Sequence, residues 1–502
     1  MYQLEARRSV LVGLVEREED AMASEGKGKV ARQNPNRWDR GAVPPAPPDS
    51  PGGPPPKGPM FPVGDEDPNV AFGDDESFGA FAFRPGELLV EVDEEDQDEL
   101  ARSIGGDVLF RVGLFALIGG VDDVVGTGRR LRRSGRTARP NHVFFSNAGF
   151  LANPITFANP ITFANPITFA NPITFANPIT FANPITFANG AGFGGSAGGD
   201  DCGCRTTRIP SRPPVHESKE TIAQAANPYQ PEPEGAVGAG VRVLVLDTGL
   251  AKKGHRPSFV ADCLPWFTDS VDEPDEDGDE DVDPAAGHGT CIAGIIERQA
   301  PGASIRVDRV LSTFGWGDDA RIAERLEMID PEDRPDILNL SFSAFTEDDE
   351  PPPAISGVLR RLTDDGVVAV ASAGNDGSCR AAFPAALSYV VAVGALSPLG
   401  QAFFSNYGPW VDACAPGVDV VSRYFTDDGK TKDSDGDLFA GWASWSGTSF
   451  AAPAVVGAIV ARSSAVPAAS PARERLASAV KAVVREPSLM RYPGLGTIVN
   501  VT

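Results

Sequence analysis

The chain has 502 residues, of which 41% are apolar, and its formal net charge at pH 7 is −25. This apolar content is enough to form a sizeable core, so a wholly disordered chain is excluded. The strong negative charge argues against nucleic acid or an anionic membrane surface as a general partner, because phosphate groups would be repelled.

Targeting signals and disulfides are not predicted either. The N-terminal apolar run from Val10 to Val15 is too short for a secretory signal, and no stretch reaches the roughly 18 apolar residues that a membrane span needs. Six cysteines in so long a chain do not make a disulfide framework. We therefore expect a cytoplasmic protein.

The first two regions along the chain differ in composition. Residues 1–83 are rich in proline, glycine and acidic side chains, so we predict that this segment is disordered. From residue 84 the texture changes: PGELLVEV alternates like a strand, and DEEDQDELARSIG has helical periodicity. Residues 84–145 are therefore predicted to form a small α+β unit.

A linker with an internal repeat follows at residues 146–235. The hexapeptide NPITFA occurs six times from Asn153 to Ala188, and a glycine-rich stretch comes after it. A proline at every sixth position prevents a continuous helix or a central strand, because each proline removes a backbone donor. The simplest interpretation is a linker dotted with apolar residues; a strand-like arm that lies in a groove and a hexapeptide solenoid remain alternatives.

Residues 236–502 have the pattern of an α/β domain. Apolar, β-branched runs of strand length, such as VRVLVLD and GVVAVASAGN, alternate with helical stretches such as GTCIAGIIERQ. This alternation predicts a parallel sheet with helices on both faces. In such sheets the active site lies at the carboxyl ends of the strands.

Three polar residues stand where that rule expects functional groups. Asp247 ends the run VLVLD, His288 stands between glycines at a predicted helix start, and Ser449 precedes the apolar helix of SGTSFAAP. Taken singly, the Asp and the Ser are typical of turns or helix caps, and the His of a cap or metal ligand. Together they supply a nucleophile, a base and an acid that orients the base. A zinc site of several imidazoles is disfavoured, because the chain has only four histidines.

The three motifs, in the order Asp, His, Ser, resemble those of the subtilisin-like serine peptidases over about residues 236–501. The resemblance implies a serine endopeptidase with Ser449 as nucleophile, His288 as general base and Asp247 as the group that orients the imidazole. It also implies that Asn375 provides the oxyanion-hole amide.

Substrate contacts follow from the same resemblance, which implies an extended peptide or protein substrate that pairs with two edge segments. The residues that match those segments are Ser341, Phe342 and Ser343 on one side and Ala371, Ser372, Ala373 and Gly374 on the other. Ser343 stands where the family commonly has glycine, so we expect a narrower or more polar primary pocket. Ser446 replaces an asparagine that is common in relatives.

No cofactor is expected to be required. The acidic stretches Asp269–Asp283 and Asp433–Asp437 resemble calcium loops only weakly, so a solvated acidic loop is the preferred interpretation and bound calcium the alternative. Their acidity, with that of residues 347–350, leads to the hypothesis that basic peptides are favoured near the cleft.

The unit at residues 84–145 fits the position and size of a pro-segment that covers the cleft of subtilisin-like enzymes. Its six arginines between Arg129 and Arg139 could pair with the acidic stretch Asp269–Asp283 or form an anion-binding patch. For the whole chain, the alternative to a peptidase is a catalytically silent subtilisin-like fold that acts as a peptide-binding module.

Overall fold

The computed structural model describes residues 69–75, 78–146, 206–207, 237–252, 263–276, 278, 282–426, 440–466 and 470–501. All of them lie within one compact unit, Trp38–Thr502. The NPITFA repeats, the acidic run Asp433–Asp437 and most of the segment predicted to be disordered lie outside the described residues.

A largely parallel sheet forms the centre of the C-terminal region, which we define as residues 237–501. In spatial order its strands are Arg491–Tyr492, Gly496–Ile498, Ala413–Pro416, Val391–Ser397, Val368–Ser372, Ile337–Leu340, Arg242–Asp247, Ser304–Arg309 and Leu264–Pro265. Only the first pair and the hairpin of Gly400–Gln401 with Val391–Ser397 are antiparallel within this sheet. The predicted α/β class with a parallel sheet is confirmed.

Helices cover both faces of this sheet because its strands are apolar on both sides. In the strand Arg242–Asp247, Val243 and Val245 enter one core cluster while Leu244 and Leu246 enter another, as the two-residue period of a strand requires. The first face is covered by the helices His288–Gln299, Thr448–Ser463 and Ala472–Val480, and the second by Asp319–Glu327 and Pro353–Asp364.

Shorter elements complete the C-terminal region. They are the paired strands Leu250–Ala251 and Val271–Asp272, a three-stranded sheet of Val420–Thr426, Ala440–Trp445 and Thr206–Thr207, a 3₁₀ turn at Glu347–Asp349 and a π-helical turn at Lys481–Arg485. None of the helices in the described part of the chain combines the length and apolar character that a membrane crossing needs.

An antiparallel sheet with two helices precedes this region, and we call residues 71–146 the N-terminal unit. Its strands are Ala71–Asp75, Gly79–Glu91, Asp107–Val112, Phe115–Gly119 and Ala138–Ser146, and its helices are Gln97–Ser103 and Val124–Arg133. The unit therefore begins upstream of residue 84, where composition suggested its start. The first strand was missed because its glycine and two aspartates resemble the preceding segment, and only pairing with the next strand makes it regular.

The sheet of the N-terminal unit buries its two faces against different partners. Leu88 and Val90 pack with the unit's own helices, whereas Leu89 and Phe144 belong to the core cluster of the C-terminal region that includes the helix Asp319–Glu327. Half of this unit's core is thus supplied by the C-terminal region.

The last strand of the N-terminal unit joins it to the C-terminal region edge to edge. Ala138–Ser146 pairs antiparallel with Trp316–Asp318 and with Phe342–Ser343. Phe342 and Ser343, two of the residues that were predicted to pair with a substrate backbone, are therefore already paired with a strand of the same chain.

Candidate active site

The predicted residues gather at one edge of the parallel sheet. Asp247 ends the strand Arg242–Asp247, Ser341 follows the neighbouring strand Ile337–Leu340, and Asn375 comes shortly after the next one, Val368–Ser372. Since adjacent parallel strands end on the same side, side chains that were far apart in sequence share this edge.

Asp247 and His288 form a buried hydrogen-bonded pair. Nδ1 of His288 lies 2.7 Å from Oδ1 of Asp247, and both side chains are 0% exposed. The same Oδ1 accepts the backbone N–H of Thr248 at 2.8 Å. Because a carboxylate only accepts, Nδ1 carries the proton and Nε2 of His288 is left as the acceptor.

The imidazole of His288 is held among aromatic rings. Its centroid lies 5.2 Å from the ring of Phe450 and 5.5 Å from that of Trp445. Among the described residues, Nε2 has no hydrogen-bond partner. The geometry therefore presents a single free acceptor atom, in an apolar setting, next to the start of the helix Thr448–Ser463.

Gly287 determines where the helix His288–Gln299 can begin. Gly287 has φ of +82°, and a Cβ there would collide with the ring of Tyr424. Only glycine adopts this conformation without strain and fits the space. The motif Gly-His-Gly is thus explained locally, since the first glycine allows the sharp entry and His288 is the first helical residue.

Ser449 is the second residue of its helix and exchanges hydrogen bonds with Ser341. Its hydroxyl donates to the carbonyl oxygen of Ser341 at 2.9 Å, and the hydroxyl of Ser341 donates to the carbonyl oxygen of Ser449 at 3.0 Å. The second bond is available because Pro453, four residues later, has no N–H to donate to Ser449 within the helix. In this rotamer, Ser449 is not hydrogen-bonded to His288.

Asn375 is buried beside Ser449 and its amide has a fixed orientation. Its Oδ1 accepts the backbone N–H of Thr448 at 3.0 Å and the Thr448 hydroxyl at 2.9 Å. The Thr448 hydroxyl oxygen in turn accepts the backbone N–H of Gly374 at 3.2 Å. With Oδ1 committed to Thr448, the NH₂ group is directed away from Thr448, as a donor must be to serve an oxyanion.

Asn406 was not predicted from the sequence, although its side chain holds the loop that carries Asn375 by hydrogen bonds. The Asn406 side chain donates to the Ala373 carbonyl at 2.9 Å and accepts the backbone N–H groups of Asp376 and Ser378 at 3.0 Å. Burial raises the pKa of Asp376 to about 6, although its hydrogen bond from Asn406 opposes the rise. The sequence around Asn406 carries no signal for this role, because the contact joins segments 30 residues apart.

The two predicted substrate edges face each other where Ser343, on the first edge, approaches Gly374, on the second. The Oγ of Ser343 lies 3.0 Å from the position that a Cβ of Gly374 would occupy, and Gly374 has φ of +102°. The strand residues Phe145 and Ser146 pair with Ser343 and Phe342. Ser343 thus stands at the wall where a narrower pocket was expected.

A strand of the N-terminal unit fills the edge beside these residues. Ser146 donates its N–H to the carbonyl of Gly315 at 2.6 Å, and Phe144 meets Phe342 edge to face with ring centroids 5.6 Å apart. Backbone pairing on both sides and a buried aromatic contact are the features by which a sheet edge binds an extended peptide.

Arginines of the N-terminal unit pair with a different acidic segment from the one expected. Arg129 and Arg132 contact the buried Glu347 at 2.7 and 2.9 Å, and Arg139 contacts Asp348. The pairing predicted with Asp269–Asp283 is wrong in the described residues. Position in the fold decided this, because by charge alone the stretch Asp269–Asp283, with ten acidic residues, would attract arginines more strongly than residues 347–350, with four.

Metal ligands do not cluster in the described residues. No group of three or more His, Cys, Asp or Glu side chains there is arranged to hold a metal ion. The acidic run Asp433–Asp437 and parts of Asp269–Asp283 lie outside the described residues. Neither the preferred interpretation, a solvated acidic loop, nor the alternative, bound calcium, is therefore tested there.

Comparisons with known proteins converge on one family. A family model described as "Subtilase family" matches residues 238–489. A cuticle-degrading serine protease of Arthrobotrys oligospora is 31% identical over 232 residues, which cover 45% of this chain and 52% of that protein. Subtilisin Savinase of Lederbergia lenta is 31% identical over 234 residues, which cover 45% of this chain and 76% of that protein.

A solved structure shares the fold over most of the chain. Fervidolysin from Fervidobacterium pennivorans, described as a keratinolytic enzyme related to subtilisin, superposes with a TM-score of 0.51 at 18% identity, covering 84% of this chain and 60% of that one. The chain spans about half the length of the first curated relatives it matches, 52% and 59%.

Proposed function

The chain belongs to the subtilase family, and on this premise we propose that it is a serine endopeptidase whose catalytic triad is Asp247, His288 and Ser449. The observation that carries the proposal is the buried 2.7 Å contact between Asp247 and His288. It holds the imidazole in the tautomer that leaves Nε2 free to accept a proton.

The first chemical step begins with a rotation of the Ser449 side chain. The Ser449 hydroxyl now donates to the carbonyl of Ser341, and it must turn to Nε2 of His288 to lose its proton. Ser449 Oγ then attacks the carbonyl carbon of the scissile bond as His288 takes the proton, and Asp247 stabilises the imidazolium. The imidazolium next protonates the leaving amine, and the acyl-enzyme is hydrolysed by water that His288 activates in the same way.

Two N–H donors would stabilise the negatively charged oxygen of the tetrahedral intermediate. The Asn375 side-chain amide, oriented by Thr448, and the backbone N–H of Ser449 would hydrogen-bond the oxyanion. Both donors are fixed before substrate arrives, so little reorganisation is needed at the moment of reaction.

Substrate is proposed to bind as an extended strand. Ser341, Phe342 and Ser343 would pair with its backbone, and Ala371, Ser372, Ala373 and Gly374 would form the opposite wall of the primary pocket. The strand Ala138–Ser146 supports this, because it already uses the edge Phe342–Ser343 in antiparallel register.

A serine-directed fluorophosphonate tests the proposed triad. The wild-type chain is expected to be labelled and to hydrolyse a peptide substrate, and Ser449→Ala is expected to lose labelling and at least about 10⁴-fold in kcat. Ser446→Ala is the matched control, because the Ser446 hydroxyl is also buried but bonds the backbone N–H of Asp419 instead; this variant is expected to keep labelling. Equal labelling of wild type and Ser449→Ala would refute the assignment.

We further propose that the N-terminal unit is an intramolecular pro-segment that covers the cleft. Its last strand pairs with Phe342–Ser343, which belong to one edge of the proposed substrate site, and also with Trp316–Asp318. Strand direction leads the chain past Ser146 toward Ser341, whose carbonyl accepts the Ser449 hydroxyl. Self-cleavage is accordingly expected within the first few residues after Ser146.

Intact mass of the purified full-length chain tests the pro-segment. Wild type is expected to yield a new N-terminus shortly after Ser146, and Ser449→Ala to remain uncleaved at that place. A fragment of residues 220–502, expressed alone, is expected to fold poorly. Normal folding and full activity of that fragment would argue against a pro-segment that assists folding.

A catalytically silent peptide-binding module is the second candidate. The observation in its favour is the Ser449 rotamer, which bonds Ser341 rather than His288. That candidate predicts tight binding of an extended peptide with no Ser449-dependent labelling, so the fluorophosphonate experiment separates the two.

A further inference from the structure

Asp272 is a buried acid outside the proposed triad that bonds to both sides of it. Its Oδ2 accepts the hydroxyl of Thr248 at 2.6 Å and the backbone N–H of Gly287 at 2.8 Å. Thr248 directly follows Asp247, and Gly287 directly precedes His288. One carboxyl oxygen therefore joins the strand end that carries the acid to the helix start that carries the base.

Thr248 extends this connection past the histidine. Its hydroxyl oxygen accepts the backbone N–H of Gly289 at 3.1 Å while its hydrogen is donated to Asp272. The residues on either side of His288 are thus held by two linked side chains, Gly287 by Asp272 and Gly289 by Thr248. Gly289 also packs so closely on the carbonyl of Gly249 that a Cβ there would collide with it.

The burial of Asp272 is costly, which argues that its contacts matter. The side chain is fully buried, and its Oδ1 has no hydrogen-bond partner among the described residues. Burial, above all, raises the pKa of Asp272 well above its ordinary value, and the nearby charge of Asp247 adds to the rise. A buried polar group whose desolvation is only partly compensated is rarely retained for packing alone.

We propose that Asp272 is a positioning residue for the triad, setting the separation of Asp247 and His288 through Thr248 and Gly287. The inference rests on the proposed function, because only a reacting histidine needs this accuracy. Without Asp272, the start of the helix His288–Gln299 would lose its bond at Gly287, and the Thr248 hydroxyl that holds Gly289 would lose its own acceptor. His288 Nε2 would then no longer be aimed steadily at the Ser449 hydroxyl.

The test compares Asp272→Ala and Asp272→Asn in the full-length chain, with kcat expressed per fluorophosphonate-titrated site. Asp272→Ala is expected to lower kcat about 10²-fold, the cost of a misplacement of about 1 Å, while KM stays within about threefold. Asp272→Asn keeps an acceptor oxygen for Thr248 and Gly287, so it is expected to restore most of kcat. Asp272→Ala with wild-type kcat would overturn the inference.

Asp319→Ala is the matched control for loss of a buried, hydrogen-bonded acid. Asp319 is equally buried and accepts the backbone N–H groups of Ala354 and Ile355, at the start of another helix. We expect its loss to lower the thermal midpoint while kcat is unchanged. An equal fall of kcat in Asp319→Ala and Asp272→Ala would mean that stability alone explains the effect, and would also overturn the inference.

Thr248→Val provides the second variant if Asp272→Ala does not fold. It keeps the side-chain shape but removes the hydroxyl, and with it the bonds to Asp272 and from Gly289. It is expected to lower kcat by at least about tenfold, and wild-type kcat would refute the proposal. Failure of the proposed function itself looks different, since the wild-type chain would then show no Ser449-dependent labelling or hydrolysis.

Discussion

The N-terminal unit and the C-terminal region bury their apolar residues in different ways. The parallel sheet of the C-terminal region is covered by its own helices on both faces. The antiparallel sheet of the N-terminal unit has nine buried apolar residues in a core of its own, and the opposite face, with Leu89 and Phe144, belongs to the core of its neighbour. The C-terminal region thus covers both faces of its sheet with its own helices, and the N-terminal unit covers only one.

This difference in packing matches a difference in the roles that we propose for the two regions. The self-contained region holds every proposed catalytic group, and its site depends on rigid strand ends. The dependent unit is attached by strand pairing, one apolar face and the ion pairs of Arg129, Arg132 and Arg139. A unit that shares its core is stable only where it lies, so loss of a few contacts is expected to release it without damage to the site.

The largest expected effect concerns the self-contained region. Asn375→Leu removes the proposed oxyanion donor and is expected to lower kcat about 10²–10³-fold, the range known for the corresponding amide of subtilisin, with little change in KM. Peptide hydrolysis kinetics measure it. As a control, Asn141→Leu removes a buried amide of the N-terminal unit and is expected to leave kcat of the processed enzyme unchanged. If Asn375→Leu raised KM alone, Asn375 would be a binding residue only.

A smaller effect is expected where the two regions share a core. Phe144→Ala in the Ser449→Ala chain deletes the ring that packs on Phe342 and is expected to weaken attachment of the N-terminal unit by about 3 kcal/mol. Hydrogen exchange of the strand Ala138–Ser146 should then accelerate about 100-fold. Leu114→Ala, at an exposed position, is the matched control and should change exchange little. Unchanged exchange in Phe144→Ala would contradict the shared core.

The smallest of these effects is a dependence of attachment on pH. His142 is fully buried, and its Nε2 accepts the backbone N–H of Glu347 at 3.1 Å. Burial, together with the charges of Arg139, Arg132 and Arg380, lowers the pKa of His142 to about 3. The neutral form of His142 is therefore the one that is favoured while the N-terminal unit is attached. The stabilisation is present above pH 6.5 and is lost as the pH falls toward 3, by about 2 kcal/mol at pH 5.

Hydrogen exchange of the Ser449→Ala chain between about pH 7 and pH 5, corrected for intrinsic rates, measures this loss. His142→Gln keeps an acceptor for Glu347 but does not titrate, so its attachment should be nearly constant over the same range. Identical pH dependence in His142→Gln and the parent would assign the effect to other groups.

Much of the C-terminal region was predictable because its signals are local. Buried parallel strands are apolar over their whole length, so their ends can be predicted from the sequence. Residues such as Asp247 and Asn375 stand at or just after those ends, so the same pattern also indicates the candidate functional groups. The glycine before His288 is also a local signal, since only a tight entry to the helix requires it. The start of the N-terminal unit was predicted too late because the strand Ala71–Asp75 depends on its partner rather than on its own composition.

By itself, the sequence determined the α/β class, the repeat, and the three motifs with their order, because periodicity and short spacings are properties of neighbouring residues. Only the tertiary structure decided that Arg129 and Arg132 meet Glu347, that Asn406 braces the Asn375 loop and that Asp272 bonds beside both Asp247 and His288. Each of these contacts joins segments distant in the chain. Their partners are selected by the path of the backbone and by burial, which no local pattern encodes.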